Sequence, residues 1–228
     1  MKGKTQFLIT ALTAVIFGLV VLSPVGAEEK MMDEGMMMDK GMMEDKGMMM
    51  DKEMDPAMQA KMAKWQEYST PNENHKVLDQ LVGSWDYTVE WKMSAESPAE
   101  QSTGSTENAW IMDGRFIQEN VTGTYNGQPF TGISIIGYDN IAKAYNTIWF
   151  DNMATGIMKG AGQYDAASKT LTEQGEMSCP MTEGNRGYRA VTTFVDADKY
   201  TYETFMADDK GQEFRSMLIT YTRKGSAS

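Results

Sequence analysis

The feature that most constrains the fold is a series of short runs in which apolar and polar residues alternate. In the first run, Trp85, Tyr87, Val89, Trp91 and Met93 alternate with polar residues. A period of two places such side chains on one face of a β-strand. The run therefore predicts a half-buried strand whose inner face is strongly aromatic.

Nine further runs of this kind follow, and turn sequences separate them. Turn pairs such as Asp113-Gly114 and Asn126-Gly127 suit tight hairpins, because both residues tolerate a positive φ. We also expect a break at Asn185-Arg186-Gly187. No helical segment of useful length separates the runs, so parallel crossovers are not expected. The predicted strands after the first are 103–112, 115–124, 130–138, 145–152, 155–164, 170–177, 188–196, 200–207 and 213–223.

About ten antiparallel strands with short connections can form either a sandwich or a closed barrel. Closure removes exposed strand edges, and roughly eight to ten strands leave room for a small ligand. We therefore expect an all-β domain over residues 70–225, folded as a closed antiparallel up-and-down barrel. A short helix should precede it, because Val77, Leu78, Leu81 and Val82 form one apolar face that ends at Gly83.

Residues 1–27 have the pattern of a secretory signal peptide. Lys2 and Lys4 precede an apolar run of 16 residues, and Val25-Gly26-Ala27 provides the small residues of a cleavage site. An uncleaved membrane anchor is the alternative, but the run is shorter than the ~20 residues that span a bilayer. The pattern favours a periplasmic or secreted protein with no stable membrane insertion after signal removal.

Charge and composition exclude several functions. The chain has 21 Lys and Arg against 32 Asp and Glu, a net charge of -11, which argues against a nucleic-acid partner. One histidine and one cysteine exclude a zinc site of several His or Cys ligands and any internal disulfide. We expect Cys179 to be a buried, small apolar residue, and a monomer is the default expectation.

Residues 28–69 form a methionine-rich arm of low complexity. Of the 22 methionines in the chain, 13 fall between Met31 and Met62, and a six-residue repeat begins at Gly35, Gly41 and Gly47. A Gly in each repeat costs a helix ~1 kcal/mol relative to Ala, and the repeat fits neither the helix nor the strand period. We expect a flexible arm that is helical only in its last part, 56–68.

The arm is open to three interpretations. It is a disordered spacer, or a soft-metal site, or a store of oxidisable side chains that scavenges oxidants. Thioether sulfur suits Cu(I) and Ag(I), and paired methionines on a flexible chain can supply three or four ligands to one ion. The candidate metal ligands are Met36, Met37, Met38, Met42, Met43, Met48, Met49 and Met50. No other cofactor is expected.

Several motifs of the folded part resemble known families. Gly83-Ser84-Trp85 before the first strand and Tyr221-Thr222-Arg223-Lys224 in the last are similar to the calycin pattern, which implies that Trp85 packs beside Arg223. Over residues 75–224 the chain resembles the bacterial domain-of-unknown-function family 1579. That resemblance implies a lipocalin-like barrel and no established activity. It rests on Asp113-Gly114-Arg115-Phe116, on Phe130-Thr131-Gly132 through Gly137-Tyr138-Asp139-Asn140, and on Trp149-Phe150-Asp151-Asn152-Met153-Ala154-Thr155.

The strand pattern also suggests a ligand site. Asp151 shares its strand parity with Trp149, so an inward face would place its carboxyl group at the barrel mouth. Because a buried charge is rarely left unpaired, we expect an ion pair inside the barrel between Asp151 and Arg115 or Arg189. Such a pair is either structural or a polar anchor for a ligand. The apolar body of that ligand would lie against Trp91, Tyr138 and Trp149.

Three functions remain open at this point. The first is a non-enzymatic barrel that binds a small apolar or amphipathic molecule, and the second is a metal-handling protein that acts through its arm. The third is an enzyme that uses Asp151 with an arginine. His75, the only histidine, precedes the first strand, so we expect a capping or helix-surface role rather than a place in a Ser-His-Asp triad. A single histidine there also argues against haem ligation of the kind found in haem-binding calycin relatives.

Overall fold

The computed structural model describes residues 55–180 and 182–225. The predicted signal peptide and the eight candidate methionine ligands lie outside the described residues. The helical elements are α1 (Pro56–Ser69), α2 (Glu73–Lys76) and a 3-10 helix (Val77–Leu81). The strands are β1 (Gly83–Trp91), β2 (Glu100–Ile111), β3 (Phe116–Tyr125), β4 (Gln128–Asp139), β5 (Ala144–Asp151), β6 (Met158–Asp165), β7 (Thr170–Cys179), β8 (Gly184–Asp196), β9 (Lys199–Ala207) and β10 (Glu213–Arg223).

The ten strands form a closed antiparallel up-and-down barrel, as the alternating sequence predicts. Each strand pairs with its neighbours in the chain, and β1 pairs with β10 to close the sheet. In that closing pair, Trp85 lies opposite Arg223 and Trp91 lies opposite Met217. Asn126 and Gly127, at the β3–β4 hairpin, both have positive φ angles of 49° and 74°. The expected tight turn is therefore present.

Two local predictions differ from the structure. The expected single helix before β1 is divided into α2 and the 3-10 helix. The break expected at Asn185-Arg186-Gly187 is part of β8, since the β7–β8 ladder continues to the pair Cys179 and Gly184. Turn-forming residues are held extended there by pairing with β7, a tertiary effect that local propensity does not contain.

The short helices cover one end of the barrel, which we call the plugged end. Leu78 and Leu81 of the 3-10 helix are buried against inward side chains from the strands. The apolar surfaces of these side chains pack against one another and are removed from water, so the side chains form the main hydrophobic core. It also contains Trp85, Ile117, Ile136, Tyr145, Leu171, Phe194 and Tyr200.

Barrel side chains hydrogen-bond to backbone carbonyls of the covering segment. Trp85 Nε1 and Asn108 Nδ2 donate to the carbonyl of Leu81 at 2.9 and 3.0 Å. The Tyr145 hydroxyl donates to the carbonyl of Asn74 at 2.8 Å. Short helices leave several backbone carbonyls without a hydrogen-bond partner inside the helix. The side-chain donors of the barrel form hydrogen bonds with these carbonyls.

Helix α1 attaches to the plugged end through its C-terminus. Asn140 Nδ2 donates to the carbonyls of Tyr68 and Thr70, both at 2.9 Å, and an Arg115 nitrogen donates to the carbonyl of Ser69 at 2.9 Å. A positive guanidinium is favoured at the C-terminal end of a helix dipole. Helix α1 confirms the expectation for 56–68, and none of the described helices combines the length and apolarity that a membrane span requires.

His75 caps helix α2. Its Nδ1 accepts a hydrogen bond from the backbone N–H of Asn72 at 3.1 Å, while the Asn72 side chain accepts from the backbone of the helix. The ring is buried and meets Tyr138 edge-on at 5.7 Å. The capping role predicted for His75 is confirmed, in a buried setting rather than on the helix surface.

Arg223 joins the end of β10 to the start of β1. Its guanidinium lies over the ring of Trp85 at 4.0 Å, and the ring is only 1% exposed. The same group donates to the carbonyls of Val82 at 2.8 Å and Ala197 at 3.0 Å. The structure thus contains the Trp85–Arg223 contact that the calycin resemblance implies, and it adds two backbone hydrogen bonds to it.

We expect Arg223→Lys to lower the free energy of unfolding by about 1–3 kcal/mol, because an ammonium group cannot cover the ring and reach both carbonyls. Urea titration followed by tryptophan fluorescence measures the change. Arg215→Lys is the matched control, since Arg215 lies on the same strand in an exposed pair with Glu203. Equal effects of the two substitutions would contradict a locking role for Arg223.

Candidate functional site

Four aromatic side chains point inward at the end opposite the plug, here called the far end. Trp91 lies 5.9 Å from Tyr125, and Phe130 stacks on Trp149 at 6.2 Å between ring centroids. All four rings are only half-buried although they point into the barrel. Water therefore reaches these inward rings from this end.

Glycines on the inner wall let side chains lie flat across neighbouring strands. The ring of Trp149 occupies the position that a Cβ on Gly132 would need, and the ring of Tyr188 does the same at Gly175. A side chain at either glycine would displace the ring above it. These glycines thus determine where the lumen-lining rings lie.

Glu173 lies in the middle of the lumen on β7 and is only 4% exposed. Its Oε1 accepts a hydrogen bond from the Thr147 hydroxyl at 2.6 Å, across the strand that carries Gly160. Burial raises the pKa of this carboxyl group, and the Thr147 hydrogen bond partly opposes the rise. The surroundings of the Glu173 carboxyl group therefore favour its protonated, neutral form.

Glu119 on β3 is the second inward carboxyl group. It accepts a hydrogen bond from Asn108 Nδ2 at 3.2 Å and another from Ser134. Burial, together with the charge on Glu173, raises the pKa of Glu119 to about 7, although the Ser134 hydrogen bond acts against the shift. Near neutral pH both the protonated and the ionised form of this side chain are therefore populated.

Tyrosines from β8, β9 and β10 surround the two carboxyl groups. Burial raises the pKa of Tyr188 to about 12, and it raises the pKa values of Tyr200, Tyr202 and Tyr221 well above the usual range. A charge on Glu119 or Glu173 contributes to each of these four shifts. The four phenols are neutral at physiological pH and provide hydroxyl groups and ring faces.

The lumen is rich in hydrogen-bond acceptors. The interactions that set the pKa values of Glu119 and Glu173 include no Lys, Arg or His among the described residues. Within 55–180 and 182–225, no three His, Cys, Asp or Glu side chains are placed to hold a metal ion. The arrangement suits a guest that donates hydrogen bonds or carries positive charge.

Of the six predicted ligand-contacting residues, the structure brings three together at the far end. Trp91, Trp149 and Asp151 lie there on inward positions of β1 and β5. Trp149 Nε1 donates to Asp151 Oδ2 at 2.8 Å, and the backbone N–H of Met153 donates to Asp151 Oδ1 at 2.8 Å. Neutral donors, not a guanidinium, satisfy this carboxylate.

The other three predicted residues lie elsewhere. Tyr138 packs at the plugged end against Tyr145, and Arg115 holds the C-terminus of α1. Arg189 is on the outer wall, where it pairs with Glu213 at 2.6 Å and lies over Phe205 at 3.9 Å. The expected pair of Asp151 with Arg115 or Arg189 inside the barrel is therefore wrong, because each arginine has partners at another place.

The sequence prediction missed Glu119, Glu173 and Tyr188. A signal was present, since Glu119 shares its strand parity with Ile117 and Val121, which are buried. An acid between two apolar residues of the same parity must point inward with them. Parity of this kind, applied to acids as well as to aromatic residues, would have found the site.

The outer wall carries two shallow depressions, and neither encloses a ligand. One crosses β10, β1, β2 and β3 and is lined mainly by threonines, including Thr88, Thr122 and Thr220. The other lies over β5, β6 and β7 beside Lys159 and Gln174. Both are open to solvent, so the lumen is the stronger candidate for a binding site.

Comparison with solved structures gives barrels at low sequence identity. A crystal structure of Rv2717c from Mycobacterium tuberculosis matches with a TM-score of 0.50 and 11% identity, and the match covers 68% of this chain and 99% of that chain. The S-type phycobiliprotein lyase CPES from Guillardia theta matches with a TM-score of 0.47 and 10% identity, over 71% of this chain and 97% of that chain. At these identities the first match shows the fold alone.

No curated protein matches the chain. A family model does match, over residues 70–223, and its description is "Protein of unknown function (DUF1579)". The matched segment includes all ten strands and the covering helices before β1. The chain therefore belongs to the DUF1579 family, which the motifs around Asp113, Gly132 and Trp149 had indicated.

Proposed function

We propose that this is an exported, non-enzymatic protein whose barrel binds one small apolar or amphipathic molecule in its lumen. The observation that carries the proposal is the combination of a plugged end and a far end whose inward rings stay half-buried. A guest that enters at the far end meets aromatic walls first and hydrogen-bonding groups deeper inside. Sites with apolar walls and a few buried polar groups are typical of small-molecule binding.

Three of the residues predicted from the sequence take part in the proposed site. Trp91 and Trp149 would cover its apolar body, and Asp151 would hold the Trp149 indole in place through their hydrogen bond. Arg115, Tyr138 and Arg189 have structural partners away from the far end, so the proposed site does not include them. An enzymatic role for Asp151 with an arginine loses its support for the same reason.

The two buried carboxyl groups add to the argument, because they weaken the free protein. The Glu119 carboxyl has a pKa of about 7 in the folded chain against an ordinary 4.5. Ionising it inside the barrel therefore disfavours folding. Residues that lower stability without a structural return are commonly retained for binding or catalysis. Export, in contrast, rests on the leader sequence alone.

Trp149→Ala and Trp91→Ala should each weaken the binding of N-phenyl-1-naphthylamine, a neutral apolar probe, by about 3- to 10-fold, because each removes an aromatic wall. Probe fluorescence titrated with the full chain measures this. Trp65→Ala is the control, since Trp65 is exposed on α1. Absence of binding to the unmodified chain would contradict the proposed function, and equal loss in all three variants would contradict the proposed position.

Glu119→Gln should change how stability depends on pH. Between pH 4.5 and 7 the folded chain keeps a proton on Glu119 that the unfolded chain loses, so the free energy of unfolding falls as the pH rises through this range. At ~1.4 kcal/mol per pKa unit, the total is up to about 3 kcal/mol. The variant should therefore equal the parent near pH 4.5 and be more stable above pH 7.

Urea unfolding at a series of pH values between 4 and 8 measures this difference. Glu176→Gln is the matched control, because Glu176 lies on the outer face of β7 and is exposed. Parallel stability curves for Glu119→Gln and the parent would mean that the Glu119 carboxyl is not held in an unfavourable setting.

The methionine repeat favours a second candidate function, soft-metal binding by the arm. Replacing the eight methionines by leucine preserves apolarity and removes every thioether ligand among them. We expect the full-length variant to lose most of the Ag(I) binding that titration calorimetry detects in the parent. Replacement of Met93, Met112 and Met153, which are exposed on the barrel, is the control and should leave Ag(I) binding unchanged. Equal binding by the eight-leucine variant and the parent would favour the spacer interpretation.

A further inference from the structure

We infer that the polar middle of the lumen is a site for an organic ammonium group, held between Glu173, Glu119 and the hydroxyl of Tyr188. The inference rests on the proposed function and narrows the ligand class to amphipathic amines with an apolar tail. The tail would lie along the aromatic rings of the far end. The head group would lie deeper, beside the carboxyl groups.

The first step concerns the Tyr188 hydroxyl. The Tyr188 side chain is 7% exposed and points into the barrel. No residue within 55–180 and 182–225 offers its hydroxyl group a hydrogen bond, yet every fully buried polar side-chain atom of that part has a partner. The hydroxyl therefore borders space that water can enter, and its hydrogen-bonding capacity is available to a guest.

The second step places a carboxylate beside the same space. The Tyr188 hydroxyl and Glu173 Oε1 lie 3.2 and 3.3 Å from the point that a Cβ on Gly160 would occupy. Gly160 has no side chain, so nothing from β6 fills the space between them. Glu173 Oε1 accepts one hydrogen bond from Thr147, and a carboxylate oxygen can accept a second one from a guest.

The third step concerns the charge and shape of the surroundings. Glu119 lies near enough to Glu173 for the two charges to affect each other. The titratable groups whose pKa values respond to the charge on these carboxyls include Tyr188, Tyr200, Tyr202 and Tyr221, all neutral phenols. Two carboxyls with aromatic ring faces attract an ammonium ion by charge and by cation–π contact, and repel an anion.

The proposed recognition predicts a preference among ligands that differ only in the head group. Dodecylamine, dodecanol and dodecanoate share one tail, and an amine of this kind remains protonated below about pH 10. We expect dodecylamine to displace N-phenyl-1-naphthylamine from the full chain at a concentration at least ten times lower than dodecanoate, with dodecanol between them. The amine's advantage should increase from pH 5 to pH 8 as Glu119 ionises.

Two variants test the residues. Glu173→Gln should weaken the binding of dodecylamine about tenfold or more, because the hydrogen bond between the ammonium group and the carboxylate is lost. The same substitution should change the binding of dodecanol little, because the glutamine amide can still form a neutral hydrogen bond with a hydroxyl group. Tyr188→Phe should weaken dodecylamine to a smaller degree. Glu176→Gln, on the outer face of the same strand, is the control and should leave all three affinities unchanged.

The outcomes separate the two proposals. If the naphthylamine probe binds and the three dodecyl compounds displace it equally, the ammonium site is overturned while the proposed function stands. If dodecanoate is preferred, the ammonium site is likewise overturned. If neither the probe nor any dodecyl compound binds, the proposed function itself fails. Probe binding by Glu173→Gln shows that the variant is folded, so its amine affinity remains informative.

Discussion

Pairing of β1 with β10 is the interaction on which the rest of the structure depends. It converts ten alternating strands into a surface with an inside and an outside, and only then does the strand period of two separate lumen from exterior. Trp85 and Arg223 lie opposite each other in this pair, and the guanidinium spans both strands and the covering segment. Closure and covering are therefore stabilised by one side chain.

The closed barrel has three zones along its axis. Leu78, Leu81 and their neighbours make the plugged end an ordinary hydrophobic core, and the far end carries half-buried rings. Between them lies a zone that holds Glu119, Glu173 and several phenol groups, and one of these phenols, Tyr200, also belongs to the hydrophobic core. The core at one end offsets the cost of the polar zone, so a domain of this size can hold two acids in its interior.

Much of the fold followed from the sequence, because strand alternation and Asn-Gly or Asp-Gly turns are local signals. The ten strands and the helical end of the arm were predictable on that basis. The course of β8 through Asn185 and Gly187 was not, since pairing with β7 decides it. Local signals also could not divide the helix before β1 into two parts.

The candidate site was less predictable. Parity correctly predicted that Trp91, Trp149 and Asp151 point inward, but sequence does not tell which strand positions lie at the same height in a barrel. Arg115 and Arg189 were paired with Asp151 on charge alone, while α1 and Glu213 hold them. Glu119 and Glu173 were not predicted as site residues, because acidic residues in strands usually lie on the solvent-exposed face of the sheet.

The inner glycines have a consequence for how this barrel can change over time. At a wall position occupied by glycine, an aromatic ring from the neighbouring strand determines the width of the lumen. The ring of Trp149 does so at Gly132, and the ring of Tyr188 does so at Gly175. Substitution of such an aromatic residue by one with a smaller side chain would widen the lumen without moving the backbone. Proteins that share this backbone can therefore differ in lumen width through substitutions at a few aromatic positions.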